Sequence, residues 1–433
     1  MTTSTLPNPA TSLTTITTAE AILETAIWPA LRATEYATLE RVLESFTRHK
    51  VGEEHFYSVT GYGHNDLGRD VTDAVFAHAL QAPAALVRTQ FASGTHAIAV
   101  ALRGLTRPGD SIVSVTGTPY DTLESVLGVP LTTSQVTPDN PFLPEAGSLA
   151  ANGVAFHITD CWQPLLGLSN TPISPADEHH LKNATVLYLQ RSRGYSNRDV
   201  ITGAQLQALI AALKQMNPTA LIFVDNCYGE FTEVQEPTAY GADCMAGSLI
   251  KNPGGGIAPT GGYIAGRADV IAACANALFA PGIGTEGGYT FGLTRTVLQG
   301  LFLAPHVVSQ ALQGMTLAAH VFEQLGCTST PRWDAPRNDI IQALTLGSAE
   351  AMISFCQTIQ RVSPVQSYVV PVPSPVPGYS DSLIMAGGTF VDGSTMELSA
   401  DGPLRAPYTV YLQGGLHYAH CRLAVQQLIT ALQ

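Results

Sequence analysis

Between residues 18 and 48 apolar side chains recur at helical spacing: Ile22, Ala26, Ile27 and Leu31, then Leu39, Val42, Leu43 and Phe46. That spacing predicts amphipathic helix. An irregular stretch rich in glycine and aromatics follows, VGEEHFYSVTGYGHNDLGRD. Short β-rich runs then return at intervals: Ala84–Thr89, Ser111–Thr116, Gly153–Ile158, Thr185–Gln190, Ala220–Asp225, Cys244–Ile250 and Gly262–Ala265. Several are nearly all apolar rather than alternating, as strands covered on both faces are. Helical segments separate many of them, among them Thr95–Leu105, Tyr120–Leu127 and Gly203–Met216. Strand–helix alternation predicts an α/β fold, a mainly parallel sheet with helices on both faces. Functional groups then belong at the carboxyl ends of the strands.

A long helix is expected from about Thr290 to Leu325, bridging to a second unit of shorter helices and a proline-rich passage, VVPVPSPVPGYSDS. The expected division is a tail and helical arm over 1–60, a large α/β domain over 61–300 and a smaller C-terminal domain over 301–433. Thr296 to Phe322 contains no charged side chain and is long enough to cross a bilayer. It also carries Gln299, Pro305, His306, Ser309, Gln310, Gln313 and His320, which are costly in hydrocarbon. A helix buried in protein, at a subunit contact, is the expectation.

Composition narrows the function classes. The 433 residues are 45% hydrophobic, enough for an extensive core. A net charge of −13 argues against a nucleic-acid or anionic-membrane partner. Only 13% of residues are charged; charge is depleted at interface cores, so a homo-oligomer is expected. The seven cysteines form no CxxC and read as reduced, as in the cytoplasm. The opening MTTSTLPNPATSLTT lacks the charged start and apolar core of a secretory signal, so it is expected to be a mobile tail.

Candidate chemistry begins with lysine, because there are four: Lys50, Lys182, Lys214 and Lys251. The first three read as solvated surface charges. Lys251 follows the apolar run CMAGSLI and precedes NPGGG, whose glycines let a backbone or a ligand approach. A desolvated amine there, with a lowered pKa, is a nucleophile; a point charge for phosphate is the other reading. Asp225 ends the preceding run, ALIFVD. Buried, it needs a partner, either a helix cap or ion pair, or the protonated ring nitrogen of a cofactor. Asp on one strand and Lys on the next is the arrangement of a pyridoxal phosphate enzyme. Ser93-Gly94-Thr95 opens the helix HAIAVALRGL and offers free N–H groups to a phosphate, although Ser and Thr also cap helices routinely. Tyr120, in TGTPYDTLES, is placed to stack on a planar ring, and Ser248 to add a hydroxyl for the phosphate.

Taken together, ASGTHA, VDNCYGEF, SLIKNPGGG, TGYGHNDLGRD and QRSRGY resemble fold-type I pyridoxal phosphate enzymes. More narrowly the chain is similar to the cystathionine-lyase and methionine γ-lyase relatives known as aluminium-resistance proteins, over about residues 50–415. The resemblance implies that Lys251 carries the cofactor as an aldimine and that Asp225 pairs with the pyridine nitrogen. It further implies that Ser93, Gly94, Thr95 and Ser248 hold the phosphate, that Tyr120 stacks on the ring, and that Gln190–Tyr195 line its face or its O3′ side. Arg405, in ELSADGPLRAPY, matches the arginine for the substrate carboxylate, a bidentate task. Tyr62 is similar to the tyrosine that reaches a neighbouring subunit's phosphate in a homodimer or homotetramer. The implied activity is carbon–sulfur lysis of a sulfur-containing amino acid by β- or γ-elimination, with Lys251 taking the Cα proton and Tyr120 serving as acid to the leaving group.

Rivals share Lys251 and Asp225: an aminotransferase, a racemase, an aldolase-like enzyme, or a cofactor-binding protein without turnover. A Schiff-base aldolase lacking pyridoxal has no use for Asp225 or Ser93-Gly94-Thr95. Gly282 to Gly287 spells GxGxxG, but it follows Ala-Pro instead of a strand. His179-His180 lacks a matching cluster, so no metal is expected. His96, beside the proposed phosphate loop, reads equally as facing the cofactor or as a helix-start histidine.

Overall fold

The apolar runs at 186–190, 244–248 and 262–266 are buried at every position, and that at 221–225 at all but its first. Strands of this kind belong in the interior of a sheet covered on both sides. The computed structural model describes residues 9–61, 63–128, 147–194, 198–375 and 381–432. In chain order its first part comprises α1 (Pro9–Ala26), α2 (Trp28–Arg48), α3 (Leu67–Ala79), β1 (Ala84–Arg88), α4 (Gly94–Leu105), β2 (Ser111–Ser114), α5 (Asp121–Leu127), β3 (Ala155–Ile158), α6 (Trp162–Leu165), α7 (Pro175–Asn183), β4 (Val186–Gln190), α8 (Gly203–Met216), β5 (Leu221–Asp225), β6 (Cys244–Ser248), β7 (Gly262–Gly266) and α9 (Ala268–Leu278).

The seven strands lie in the order β1-β7-β6-β5-β4-β2-β3. Strands β2 to β6 pair in parallel, whereas β7 is antiparallel to both β6 and β1. The sheet is therefore mainly parallel, with one reversed strand. The reversal has a local cause. A crossover to a parallel neighbour is usually made by a helix, but β6 returns as β7 through Leu249–Gly261, whose regular structure is a single 3₁₀ turn at Asn252–Gly254. Lys251 sits in that return.

The second part comprises α10 (Thr294–Gln324), β8 (Thr328–Thr330), β9 (Ile341–Thr345), α11 (Ala349–Val362), β10 (Leu383–Ala386), β11 (Ser399–Pro403), β12 (Thr409–Gln413) and α12 (Tyr418–Ala431). Its five strands form an antiparallel sheet, β10-β11-β12-β9-β8. Helix α10 serves both cores. Val297 to Leu312 pack under the large sheet, and Met315 to Phe322 join the core of the small one. No described helix is long and apolar enough to cross a membrane.

Two differences from the sequence reading have plain causes. The expected helix over 18–48 is broken at Ile27, because Pro29 in the first turn of α2 has no N–H for a continuous helix. Helix α3 begins inside the stretch read as irregular, capped by Asp66, whose carboxylate accepts from the Arg69 N–H at 3.0 Å. The N-terminal helices pack against the C-terminal unit. Ile16, Ala19, Leu23 and Trp28 share a core with Phe355 and Leu428, and the Trp28 indole donates to Thr316 Oγ1 at 3.0 Å. The proline-rich passage lacks helix and strand over Val369–Ser374 as far as it is described.

Candidate active site

Asp225 and Lys251 come together because β5 and β6 are parallel neighbours. Asp225 ends β5, in register with Gln190 at the end of β4 and with Ala246 in β6. It is 5% exposed. One carboxylate oxygen accepts from the Cys227 N–H at 3.1 Å and the other from the Tyr188 hydroxyl at 3.0 Å. Burial raises its pKa; the bonds from Cys227 and Tyr188 and the charge of Lys251 oppose the rise.

Lys251 is half-buried. Its Nζ lies 3.8 Å from the centroid of the Tyr228 ring. Burial pulls the ammonium down, but Tyr228, Cys227 and Glu230 outweigh that effect and hold the amine above its ordinary value. The lowered lysine pKa expected from desolvation is thus not found, because the sequence did not reveal the acidic and aromatic groups that surround it. The glycines after Lys251 admit a backbone: a Cβ on Gly255 would overlap the Gly300 carbonyl of α10, and Gly255 has a φ of +57°. The other lysines lie elsewhere. Lys214 pairs with Asp243 at 2.7 Å and Lys182 with Glu178 at 2.5 Å.

The start of α4 faces the same place. The Ser93 hydroxyl caps the helix by accepting from the His96 N–H at 3.1 Å. The first N–H groups of any helix have no intrahelical acceptor, so those of α4 add a positive end to the site. A Cβ on Gly94 would meet Cys227 Sγ and Ser248 Cβ, both at 3.2 Å. That glycine lets the helix start approach the ends of β5 and β6. The Thr95 hydroxyl is 2.7 Å from that of Thr122.

Tyr120 precedes α5, and its N–H donates to Gln190 Oε1 at 2.7 Å. Gln190 is fixed in turn by donating to the Ser192 carbonyl at 2.9 Å. Ser93, Gly94, Thr95, Tyr120, Asp225, Ser248 and Lys251 all line one cavity of about 190 Å³. Gln190, Ser192 and Gly194 line it as well, while the intervening Arg191 and Arg193 turn away to Glu233 and Asp339. This two-residue alternation identifies the part of Gln190–Tyr195 that faces the cavity; Tyr195 and Tyr62 lie outside the described residues.

The cavity adjoins a larger chamber of about 680 Å³ that shares Tyr120, Gly194, Tyr228 and Lys251 and extends to Asp401, Tyr411 and Gln413 of the small sheet. Arg405 does not line either space. It lies in the turn between β11 and β12, its side chain 57% exposed and paired with Asp381 at 2.9 Å. His96 is a helix-start histidine: its Nδ1 accepts from the Ala92 N–H at 3.1 Å and its ring packs on Phe91. The 282–287 glycines serve a structural end, with the carbonyls of Thr285, Glu286 and Gly287 accepting from Arg88 and Arg69. His180 stacks on His157, and among the described residues no group of three potential ligands could hold a metal. Sequence reasoning missed Tyr228, Cys227, Tyr188 and Thr122 as neighbours of the site. The motif VDNCYGEF contained the first two without a signal for their orientation.

The methionine gamma-lyase family model matches residues 15–433. The uncharacterized protein YnbB of Bacillus subtilis (strain 168) is 45% identical over 392 residues, 90% of each chain. A carbon-sulfur lyase involved in aluminum resistance from Clostridium novyi NT is 38% identical, with a TM-score of 0.87 over 97% of this chain and 96% of that one. The pyridoxal-5'-phosphate dependent protein YhfS of Escherichia coli, 16% identical with a TM-score of 0.60 over 93% of this chain and 95% of that one, shares the fold alone. The architecture is that of fold-type I enzymes, and with the family model spanning nearly its whole length, the chain belongs to the methionine gamma-lyase family.

Proposed function

We propose that this protein is a pyridoxal phosphate-dependent carbon–sulfur lyase that acts on a sulfur-containing amino acid by β- or γ-elimination. The convergence of Lys251, Asp225 and the α4 start on one cavity carries the reading. The donor set fits the cofactor: a lysine amine for its aldehyde, a buried carboxylate for its ring nitrogen, and a helix start with hydroxyls for its phosphate. Gly94 leaves the space that a side chain would take from that cradle. Ser93, Gly94, Thr95 and Ser248 would hold the phosphate, Asp225 a proton at the ring nitrogen, and Lys251 the aldehyde carbon. The Tyr120 ring would lie against the cofactor ring.

When bound, pyridoxal phosphate supplies an electron sink for the charge left at Cα. The chain's own residues do the rest. Lys251 Nζ, as the free amine, takes the Cα proton. The pair of electrons in the carbon–sulfur bond leaves with sulfur, and the Tyr120 hydroxyl gives that sulfur a proton. One water then hydrolyses the released enamine, so the products are a thiol, ammonia and a 2-oxo acid. Arg405 would bind the substrate carboxylate once released from Asp381, and the large chamber would take the leaving half. The same reading includes a homodimer or homotetramer, which sedimentation can count.

Cofactor-free protein mixed with pyridoxal phosphate is expected to gain a visible absorbance band, and a panel of sulfur amino acids to yield 2-oxo acid and thiol without an amino acceptor. Lys251→Ala removes both. A band without turnover of any amino acid would favour a cofactor-binding protein; turnover that requires an amino acceptor would favour an aminotransferase. A band retained in Lys251→Ala would overturn the assignment of the amine.

A further inference from the structure

Behind the Lys251 turn lies a carboxyl group without a counter-ion. Glu230 is fully buried. Its Oε1 accepts from the Tyr263 hydroxyl at 2.7 Å, and its Oε2 has no hydrogen-bond partner. The neighbouring carboxylates are paired otherwise: Glu233 and Glu236 with Arg191, and Glu236 with Arg41 as well. Among the described residues no arginine or lysine forms an ion pair with Glu230. The fold nonetheless makes room for it, since a Cβ on Gly247 would overlap Glu230 Oε1.

Glu230 is joined to the lysine through Asn252. The Asn252 amide donates to the carbonyls of Tyr228 and Glu230, both at 2.9 Å, and leaves its own Oδ1 buried without a donor. The residue after Lys251 therefore hangs from the segment that carries the Tyr228 ring. Two orphan acceptors, Glu230 Oε2 and Asn252 Oδ1, lie on residues already bonded to each other. A sealed carboxylate with no cation is costly, whereas a neutral carboxyl carries no charge and supplies an O–H donor where two acceptors are left orphaned.

We propose that Glu230 is a positioning residue, held as a neutral acid behind the Lys251 turn, and that its ionisation loosens the turn and sets the alkaline limit of the site. The titratable groups facing it are Tyr263 of β7, Glu236 and Cys227 of the segment after β5, Arg191 after β4, and Lys251 itself. Burial pushes the carboxyl up to about 8; the Tyr263 hydroxyl opposes the rise and Glu236 adds to it. The folded-state value lies above the unfolded one, near 4.5. The folded protein thus keeps a proton that the unfolded chain releases, and stability falls as pH rises through that window. Glu230's protonation stands on its own geometry; its link to the reaction rests on the reading of Lys251 as the reactive amine.

The test uses full-length protein and three readouts. Infrared difference spectra of cofactor-free wild type are expected to show a neutral carboxyl C=O band that disappears as pH is raised through about 8. The thermal midpoint falls between about pH 4.5 and about pH 8, where the unfolded chain has released the proton and the folded one keeps it, and levels off above. Glu230→Gln removes the band and flattens that fall, and Tyr263→Phe moves both steps to higher pH because it deletes the donor that favours the ion. In the holoenzyme, Glu230→Gln shifts the alkaline limb of kcat/KM upward by about one pH unit. A wild type without the infrared band, or a Gln variant destabilised equally at every pH, would overturn the proposal. An unmoved alkaline limb would sever the link to Lys251. Wild type that captures no cofactor would instead defeat the proposed function, while the infrared and thermal readouts still judge Glu230.

Discussion

Lys251 and Tyr228 meet across the carboxyl edge of the large sheet, amine over aromatic face, 3.8 Å from Nζ to ring centroid. Such a contact favours the charged amine, and the phenol acts in the same direction. An amine attacks an aldehyde only as the free base. Its capture rate should therefore climb with pH until the raised value is passed. Tyr228→Phe keeps the ring and loses the hydroxyl, so the profile should shift to lower pH and capture at pH 8 should quicken several-fold. Stopped-flow measurement of the visible band checks this; a profile moved the other way would mean the phenol assists attack.

Asp225 is held by the Cys227 N–H and the Tyr188 hydroxyl, so Asp225→Asn should preserve the fold. An amide cannot hold a proton on a ring nitrogen. The visible band should persist while kcat falls by about a hundredfold or more, the scale on which one charge-stabilising group acts in a closed site. Steady-state release of 2-oxo acid is the measure, and an unaltered kcat would remove Asp225 from the reaction.

Gly94→Ala brings a methyl group to 3.2 Å from Cys227 Sγ and Ser248 Cβ. The helix start must then retreat from the strand ends. Cofactor affinity should drop by about tenfold, roughly 1.4 kcal/mol, with little change in kcat at saturating cofactor. Equilibrium dialysis gives the affinity. Inorganic phosphate should compete with the cofactor in wild type and less so in the variant.

Arg405 is exposed and paired with Asp381. An exposed pair contributes about 0–1 kcal/mol, so Arg405→Ala should leave the melting temperature nearly unchanged. The KM for the amino acid should rise by tenfold or more while the colour stays. Loss of colour would make Arg405 a cofactor ligand; an unchanged KM would place the carboxylate elsewhere.

Much of the site could be read along the chain because its parts are local. Asp225 and Lys251 end neighbouring apolar runs, and Ser93-Gly94-Thr95 opens a helix. Strand ends and helix starts are fixed by periodicity and capping within a few residues. Side-chain orientation was not legible in this way. Arg191 and Arg193 stand beside Gln190 and Ser192 in sequence, yet they turn to Glu233 and Asp339, and the choice follows from the acids that the second unit and the segment after β5 bring near.

The sequence by itself determined the alternation of buried strands and helices, the carboxyl edge as the place for chemistry, and the one lysine suited to it. These follow from short-range patterns of apolar and polar residues. Tertiary structure decided the sharing of α10 and the N-terminal helices between two cores, and the electrostatic state of Lys251. Each depends on groups distant in sequence. The charge on an amine responds to whatever lies within a few ångströms of it, and Tyr228, Cys227 and Glu230 reach that range only when the turn after β5 folds against the Lys251 return.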